Sequence, residues 1–146
     1  MLHHLHGDGS ESGAVTIEGG REIRIGRLQR QKVRVSRGKI LESAKKVFAI
    51  PNTLKMVLEV EFFEEVGTGT GPTLEFFTLL SKDFRSRKLK LWRDEGVANE
   101  DDLVVASHGL FPAPITVPRM AGKTHATRLK YFKLLGQAIG KVLQDG

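Results

Sequence analysis

The chain has 146 residues, 40% of them apolar, enough to bury one moderate core, and a formal charge of +6. It contains no cysteine, which excludes disulfides, thiolate metal sites and a thiol nucleophile within these residues. No apolar run approaches the ~18–20 residues that span a bilayer, and the start lacks the basic end and apolar centre of a signal peptide. The chain therefore reads as a soluble intracellular protein, cytoplasmic or nuclear.

Residues 1–20, MLHHLHGDGSESGAVTIEGG, are rich in Gly and Ser and poor in large apolar groups, so burial gains too little to offset the entropy of ordering. They are expected to form a flexible arm ahead of a domain spanning 21–146. His3, His4 and His6 in that arm have no fixed carboxylate or Cys partner and read as solvated, with no metal site assigned. The arm holds no Lys or Arg but Asp8, Glu11 and Glu18, which leaves 23 basic against 14 acidic groups, a net of +9, on residues 21–146. That excess suits an anionic partner.

Ten basic residues lie between Arg21 and Lys46, against Glu22 and Glu42. Within that region Lys32-Val33-Arg34-Val35 alternates as a short strand does, cations outward. Ile40, Leu41, Ala44, Val47 and Phe48 then recur at helical spacing, with Ser36 as the expected cap and Pro51-Asn52 as the stop. Met56 to Phe63 is the strongest strand: Leu58, Val60 and Phe62 share one face, Glu59 and Glu61 the other. A turn with Gly67, Gly69 and Gly71 leads to a helix starting near Pro72, with Phe76, Phe77, Leu80 and Phe84 as its apolar stripe. Lys88 to Trp92 alternates and is expected to be a second short strand. Arg93 to His108 reads as loop, and Gly109 to Pro118, with three prolines, as an extended connector. Leu129, Phe132, Leu135, Ile139 and Val142 or Leu143 mark a last helix.

The triple-glycine turn invites comparison with a phosphate-binding loop, but Pro72 and Thr73 stand where such a loop needs its Lys and hydroxyl. Gly122-Lys123-Thr124 fails too, because Val117 stands where the spacing requires Gly. Single-residue spacing also breaks the dinucleotide pattern. The glycines are instead expected to allow positive φ where strand reverses into helix. Gly136 and Gly140 form a GxxxG beside Lys133 and Lys141, which predicts a close helix contact in a soluble core. His108 and His125 lack a Ser or Cys at a recognisable spacing. Glu59, Glu61, Glu64 and Glu65 could pair for acid–base work, but alternation puts Glu59 and Glu61 on a solvated outer face. Lys82, Arg85, Arg87, Lys88, Lys90 and Arg93 surround Phe84 and Trp92, a mixture that in nucleic-acid modules stacks on bases. No catalytic, cofactor-binding or metal-binding residue is assigned.

Several segments in order resemble the opening part of the HECT domain, the catalytic module of one class of ubiquitin-protein ligases. KVRVSRGKILESAKKVF (Lys32–Phe48) resembles the family's first strand and helix. LEVEFFEEVGTGTGPTLEFFTLLSKD (Leu58–Asp83) resembles its strand, Gly-rich turn and helix, Gly109-Leu110-Phe111-Pro112 its short "glF" segment, and YFKLLGQAIGKVLQDG (Tyr131–Gly146) its "GkalxDg" helix. The wording is most similar to the branch of the ubiquitin-fusion-degradation ligases and covers about residues 28–146. The resemblance implies an α+β fold, the incomplete, mostly helical N-terminal lobe, in which the Gly-rich turn is architectural. It implies a ligase that carries ubiquitin as a cysteine thioester to substrate lysines, without metal or organic cofactor. Its partners would be a ubiquitin-conjugating enzyme, ubiquitin and protein substrates, with no membrane. The family's cysteine lies in a separate C-terminal lobe, so this stretch is expected to be an inactive scaffold with an uncovered apolar face on its last helix, at Ile139 or Val142. The competing readings are a basic nucleic-acid-binding module and a scaffold that recruits acidic proteins.

Overall fold

The computed structural model describes residues 14–17, 21–24, 29–67, 69–114 and 122–145, the first two spans as backbone. Strands β1 (Ala14–Ile17) and β2 (Arg21–Arg24) pair antiparallel, Ala14 opposite Arg24 and Ile17 opposite Arg21. This hairpin straddles the division expected at residue 20. The histidines of the arm, His3, His4 and His6, lie outside the described residues.

Strands β3 (Arg30–Val35) and β4 (Val57–Phe62) form a two-stranded parallel sheet, with Arg30 opposite Val57 and Val35 opposite Phe62. Parallel neighbours need a long crossover, supplied here by helix α1 (Ile40–Ala49) between 3₁₀ turns at Arg37–Lys39 and Thr53–Lys55. Alternation works as read: Val33, Val35, Leu58, Val60 and Phe62 are buried, while Lys32 and Arg34 face out. On α1, Ile40, Ala44, Val47 and Phe48 are buried one above another. Ser36 makes no side-chain cap. The intervening 3₁₀ turn places it too early to reach the donors of α1, and its own N–H donates to Ser43 Oγ at 3.1 Å. The helix stops before Pro51, where Thr53 Oγ1 donates to the carbonyls of Val47 (3.0 Å) and Ile50 (2.9 Å).

Helix α2 (Thr70–Phe84) lies on β4 and α1. Phe76, Leu80 and Phe84 enter the core and Phe77 sits at its margin, so the expected stripe is the buried one. Each fully buried side chain of this size contributes about 1.5–3 kcal/mol by leaving water. Helix α3 (Gly122–Asp145) rests against α1 and α2. Together these elements make an α+β arrangement.

Besides the Ser36 cap, two expectations fail. Lys88 to Trp92 is no strand: Arg87–Leu89 forms a 3₁₀ turn, Lys90 takes a left-handed φ of 52°, and Trp92 makes only an isolated bridge to Pro112. Alternation arises there because a tight turn also throws Leu91 inward next to the exposed Lys90. On α3 the buried face is Leu134, Ala138 and Lys141, with Tyr131, Phe132 and Leu135 at its edges, whereas Leu129, Ile139, Val142 and Leu143 are exposed, in keeping with the uncovered face expected at Ile139 or Val142. The helix carries apolar residues on two faces, and its 3.6-residue period cannot say which is covered. Gly136 and Gly140, finally, lie on exposed surface with no described atom within 4 Å of a Cβ built at either, so they mark no close helix contact.

The outer edge of β4 is closed by side chains. Leu58 N–H donates to Asp145 Oδ2 at 3.0 Å, and Val60 N–H donates to Thr73 Oγ1 at 3.0 Å. Thr73 Oγ1 in turn donates to the Gly69 carbonyl at 2.9 Å. Lys141, with no exposed surface, donates from Nζ to the Met56 carbonyl and to Asp145 Oδ1 at 2.8 Å. One strand edge is thus held to α2 by a threonine and to α3 by a lysine–aspartate pair.

Candidate functional site

The turn between β4 and α2 is built by conformation and by one arginine. Gly67 (φ 150°) and Gly69 (φ 113°) adopt positive φ, as expected of a reversal, while Gly71 is already helical. Arg37, in the 3₁₀ turn before α1, reaches across to fasten it. Its Nε and Nη2 donate to Glu65 at 2.8 and 2.9 Å, and Nη1 donates to Glu75 of α2 at 2.5 Å. Its guanidinium also lies 4.2 Å from the centre of the Phe62 ring. The planar, multidonor head of Arg suits this three-way contact in a way Lys does not. Hydrogen bonds from Arg37 hold both carboxyls below the usual glutamate range and raise Arg37 itself. Nothing in the sequence marks Arg37 for this role, because contacts across 28 and 38 residues have no local signature.

Three of the four acidic residues that could serve acid–base work, Glu59, Glu61 and Glu65, are paired with cations. Glu59 meets Arg30 at 4.0 Å, and Glu61 meets Arg34 at 2.8 Å and Lys32 at 3.7 Å, a ladder across the outer face of the sheet. The bond from Arg34 depresses the Glu61 carboxyl, the opposite of what a neutral general acid requires. Glu64 is exposed at a left-handed φ of 65°. His108 is exposed in the irregular segment and His125 is half-buried on α3.

The aromatic and cationic cluster of residues 82–93 is assembled, but inward. Phe84 is 2% exposed. Trp92 is held by its Nε1 donating to the Phe84 carbonyl at 2.8 Å and by an edge-on contact with Phe132, ring centres 5.6 Å apart. Arg87 is committed to Asp94 at 2.8 Å, to the Val97 carbonyl and to Asp102, and Lys82 to Asp101 at 3.0 Å. A base-stacking platform needs an open ring face beside free cations; Lys88 and Lys90 are exposed, but Phe84 is buried and Trp92 is packed on Phe132. The cluster's contacts instead organise the acidic segment after Trp92, where Val104 is buried and Ser86 bridges Leu103.

The clearest open feature is apolar. Phe77, Leu80 and Phe84 of α2 face Leu135, Ala138, Ile139, Val142 and Leu143 of α3 across a cavity of about 170 Å³. Ile139 is 51% and Leu143 80% exposed, so the seam between the helices lacks a cover on this side. The face expected to be left open at Ile139 and Val142 is open. Among the described residues no helix is long and apolar enough to cross a membrane.

The sequence matches parts of much larger proteins. It is 47% identical over 86% of its length to the E3 ubiquitin-protein ligase UPL3 of Arabidopsis thaliana. It is 37% identical over 83% to ubiquitin fusion degradation protein 4 of Saccharomyces cerevisiae, and 37% over 85% to the E3 ubiquitin-protein ligase Ufd4 of Drosophila melanogaster. It spans only 8%, 8% and 5% of those proteins. No protein-family model matches the chain.

Proposed function

We propose, from the premise that this chain is kin to one stretch of the ubiquitin-fusion-degradation group of E3 ubiquitin-protein ligases, that residues 21–146 build part of the N-terminal lobe of a HECT-type ligase. The observation that carries this is the 47% identity, over most of the chain, to a plant E3 ligase. The fold supports it in kind. A triple-glycine turn clasped by Arg37 acts as a joint between strand and helix, and the open seam along α2 and α3 gives further parts of a larger domain an apolar face to pack on. The role of these residues is scaffolding.

In the complete ligase a cysteine thiolate outside these residues attacks the thioester carbonyl of ubiquitin carried by a conjugating enzyme, whose thiolate leaves. The amine of a substrate lysine then attacks the new thioester, giving an isopeptide bond and releasing the ligase thiol. Thiolates serve both as nucleophile and as leaving group near neutral pH, so neither a metal nor an organic cofactor is required. The present 146 residues contain no cysteine and supply no such group.

The test uses the full-length protein with activating enzyme, conjugating enzyme, ubiquitin and ATP. A ubiquitin adduct that disappears on reduction is expected, and none on the 146-residue chain alone. A full-length protein that ubiquitinates substrates without ever forming a reducible adduct would overturn the reading.

A further inference from the structure

A second cavity, of about 460 Å³, opens between the C-terminal half of α1 and the N-terminal half of α3. Its floor is Phe48, Tyr131 and Leu134. Its rim carries Lys45, Lys130 and Lys133, and no carboxylate lines it. On α3 the lining residues recur as one helical face, and on α1 Lys45 and Phe48 stand one turn apart. Lys45 is fixed in place: its ammonium lies 2.7 Å from Glu42, 3.3 Å from Tyr131 Oη and 4.8 Å from the centre of the Tyr131 ring. Lys130 and Lys133 are exposed and make no ion pair among the described residues. The carbonyl end of α1, which would repel an anion, is already covered by the Thr53 hydroxyl.

We infer that this groove binds an acidic segment of another protein, its carboxylates meeting Lys130 and Lys133 while an aliphatic or aromatic side chain enters over Phe48 and Leu134. Charge complementarity names the partner's sign, and the apolar floor demands an anchor that a simple anion lacks. A peptide fits better than a nucleic acid. Lys45 already covers the Tyr131 ring, so the one floor ring that is not buried is taken before a base could stack on it. The inference rests on the groove alone and stands apart from the ligase reading.

The test is fluorescence anisotropy with the 146-residue chain and three labelled probes: a peptide of Glu and Asp around two Leu residues, the same peptide with Ser for Leu, and an oligo-thymidine strand. Saturable binding of the first is expected, with the Ser peptide weaker by about tenfold. The double substitution Lys130→Glu and Lys133→Glu should weaken the first peptide at least about tenfold. Lys88→Glu with Lys90→Glu, an equal charge change outside the groove, should cost less than about threefold. Circular dichroism verifies that both variants keep their helix content. Absence of saturable binding, equal losses in the two variants, equal binding of both peptides, or tighter binding of the oligonucleotide would each overturn the proposal.

Discussion

Lys141 and Asp145, one turn apart on the last helix, together grip the edge of β4: Asp145 Oδ2 takes the Leu58 N–H at 3.0 Å, and Lys141 Nζ donates to the Met56 carbonyl while pairing with Asp145 at 2.8 Å. Removing one member strands the other in a site without exposed surface at Lys141. Lys141→Met, close in shape and uncharged, is expected to lower stability by about 3 kcal/mol. Adding Asp145→Asn should recover part of that loss. A double-mutant cycle from urea midpoints checks it: strictly additive costs would mean the pair acts as two independent contacts.

The clasp at Arg37 makes a pH-dependent prediction. Hydrogen bonding to Arg37 depresses Glu65 and Glu75 below their ordinary value of 4.5 in the folded protein. A depressed carboxyl stabilises the fold above its unfolded pKa, and that contribution is lost as pH falls through the lower folded value. Arg37→Gln is therefore expected to be less stable than the parent at pH 7 and to converge with it as pH falls below 4.5. Urea midpoints for both proteins across that range decide the matter. A gap that persists unchanged at low pH would assign the effect to packing on Phe62 instead.

Two glycines two residues apart should respond with opposite sign. Gly69 has φ 113° and ψ −153°, a conformation almost confined to glycine, although a Cβ there would meet nothing within 4 Å. Gly69→Ala should cost about 1–3 kcal/mol from backbone strain alone. Gly71 is already in the helix, with equally open space around it, and Gly71→Ala should be neutral or stabilising by up to about 1 kcal/mol. Thermal melts of the two variants test this, and an equal loss at both positions would contradict the assignment of strain to Gly69.

The seam between α2 and α3 predicts a surface effect without a folding effect. Ile139→Gln with Leu143→Lys alters side chains that are 51% and 80% exposed, so stability should stay within about 0.5 kcal/mol at each site. Binding of a hydrophobic dye should fall at the same time. Unfolding at a markedly lower urea concentration would show that the seam is already covered from within the chain.

Much of this was legible in the sequence, and the failures have physical causes. The two central strands and the stripe of α2 follow from period-2 and 3.6 patterns in which one face alone is apolar. Pattern stops being informative where both faces are apolar. On α3, Leu134 and Ala138 compete with Leu135, Ile139 and Val142, and only the docking of α1 and α2 decides between them. Burial of Lys141 cannot be read from composition, since its ammonium is satisfied by Asp145 one turn on together with a carbonyl 85 residues away. Arg37 and Thr73 likewise act through partners that are distant or belong to the backbone. The parallel pairing of β3 and β4 is implied in retrospect by a helix lying between two strands, and the cation–carboxylate ladder on their outer face follows from that register.

The threonine and aspartate that occupy the β4 edge have a consequence for how this chain meets its own copies. With the amides of Leu58 and Val60 already taken, an incoming strand finds two successive donors of that edge spent. On the outer face of the sheet three cations, Arg30, Lys32 and Arg34, meet two carboxylates, Glu59 and Glu61, which leaves one positive charge in excess to oppose a stacked copy. Self-templated stacking is therefore discouraged twice over, once by chemistry already spent and once by like charge.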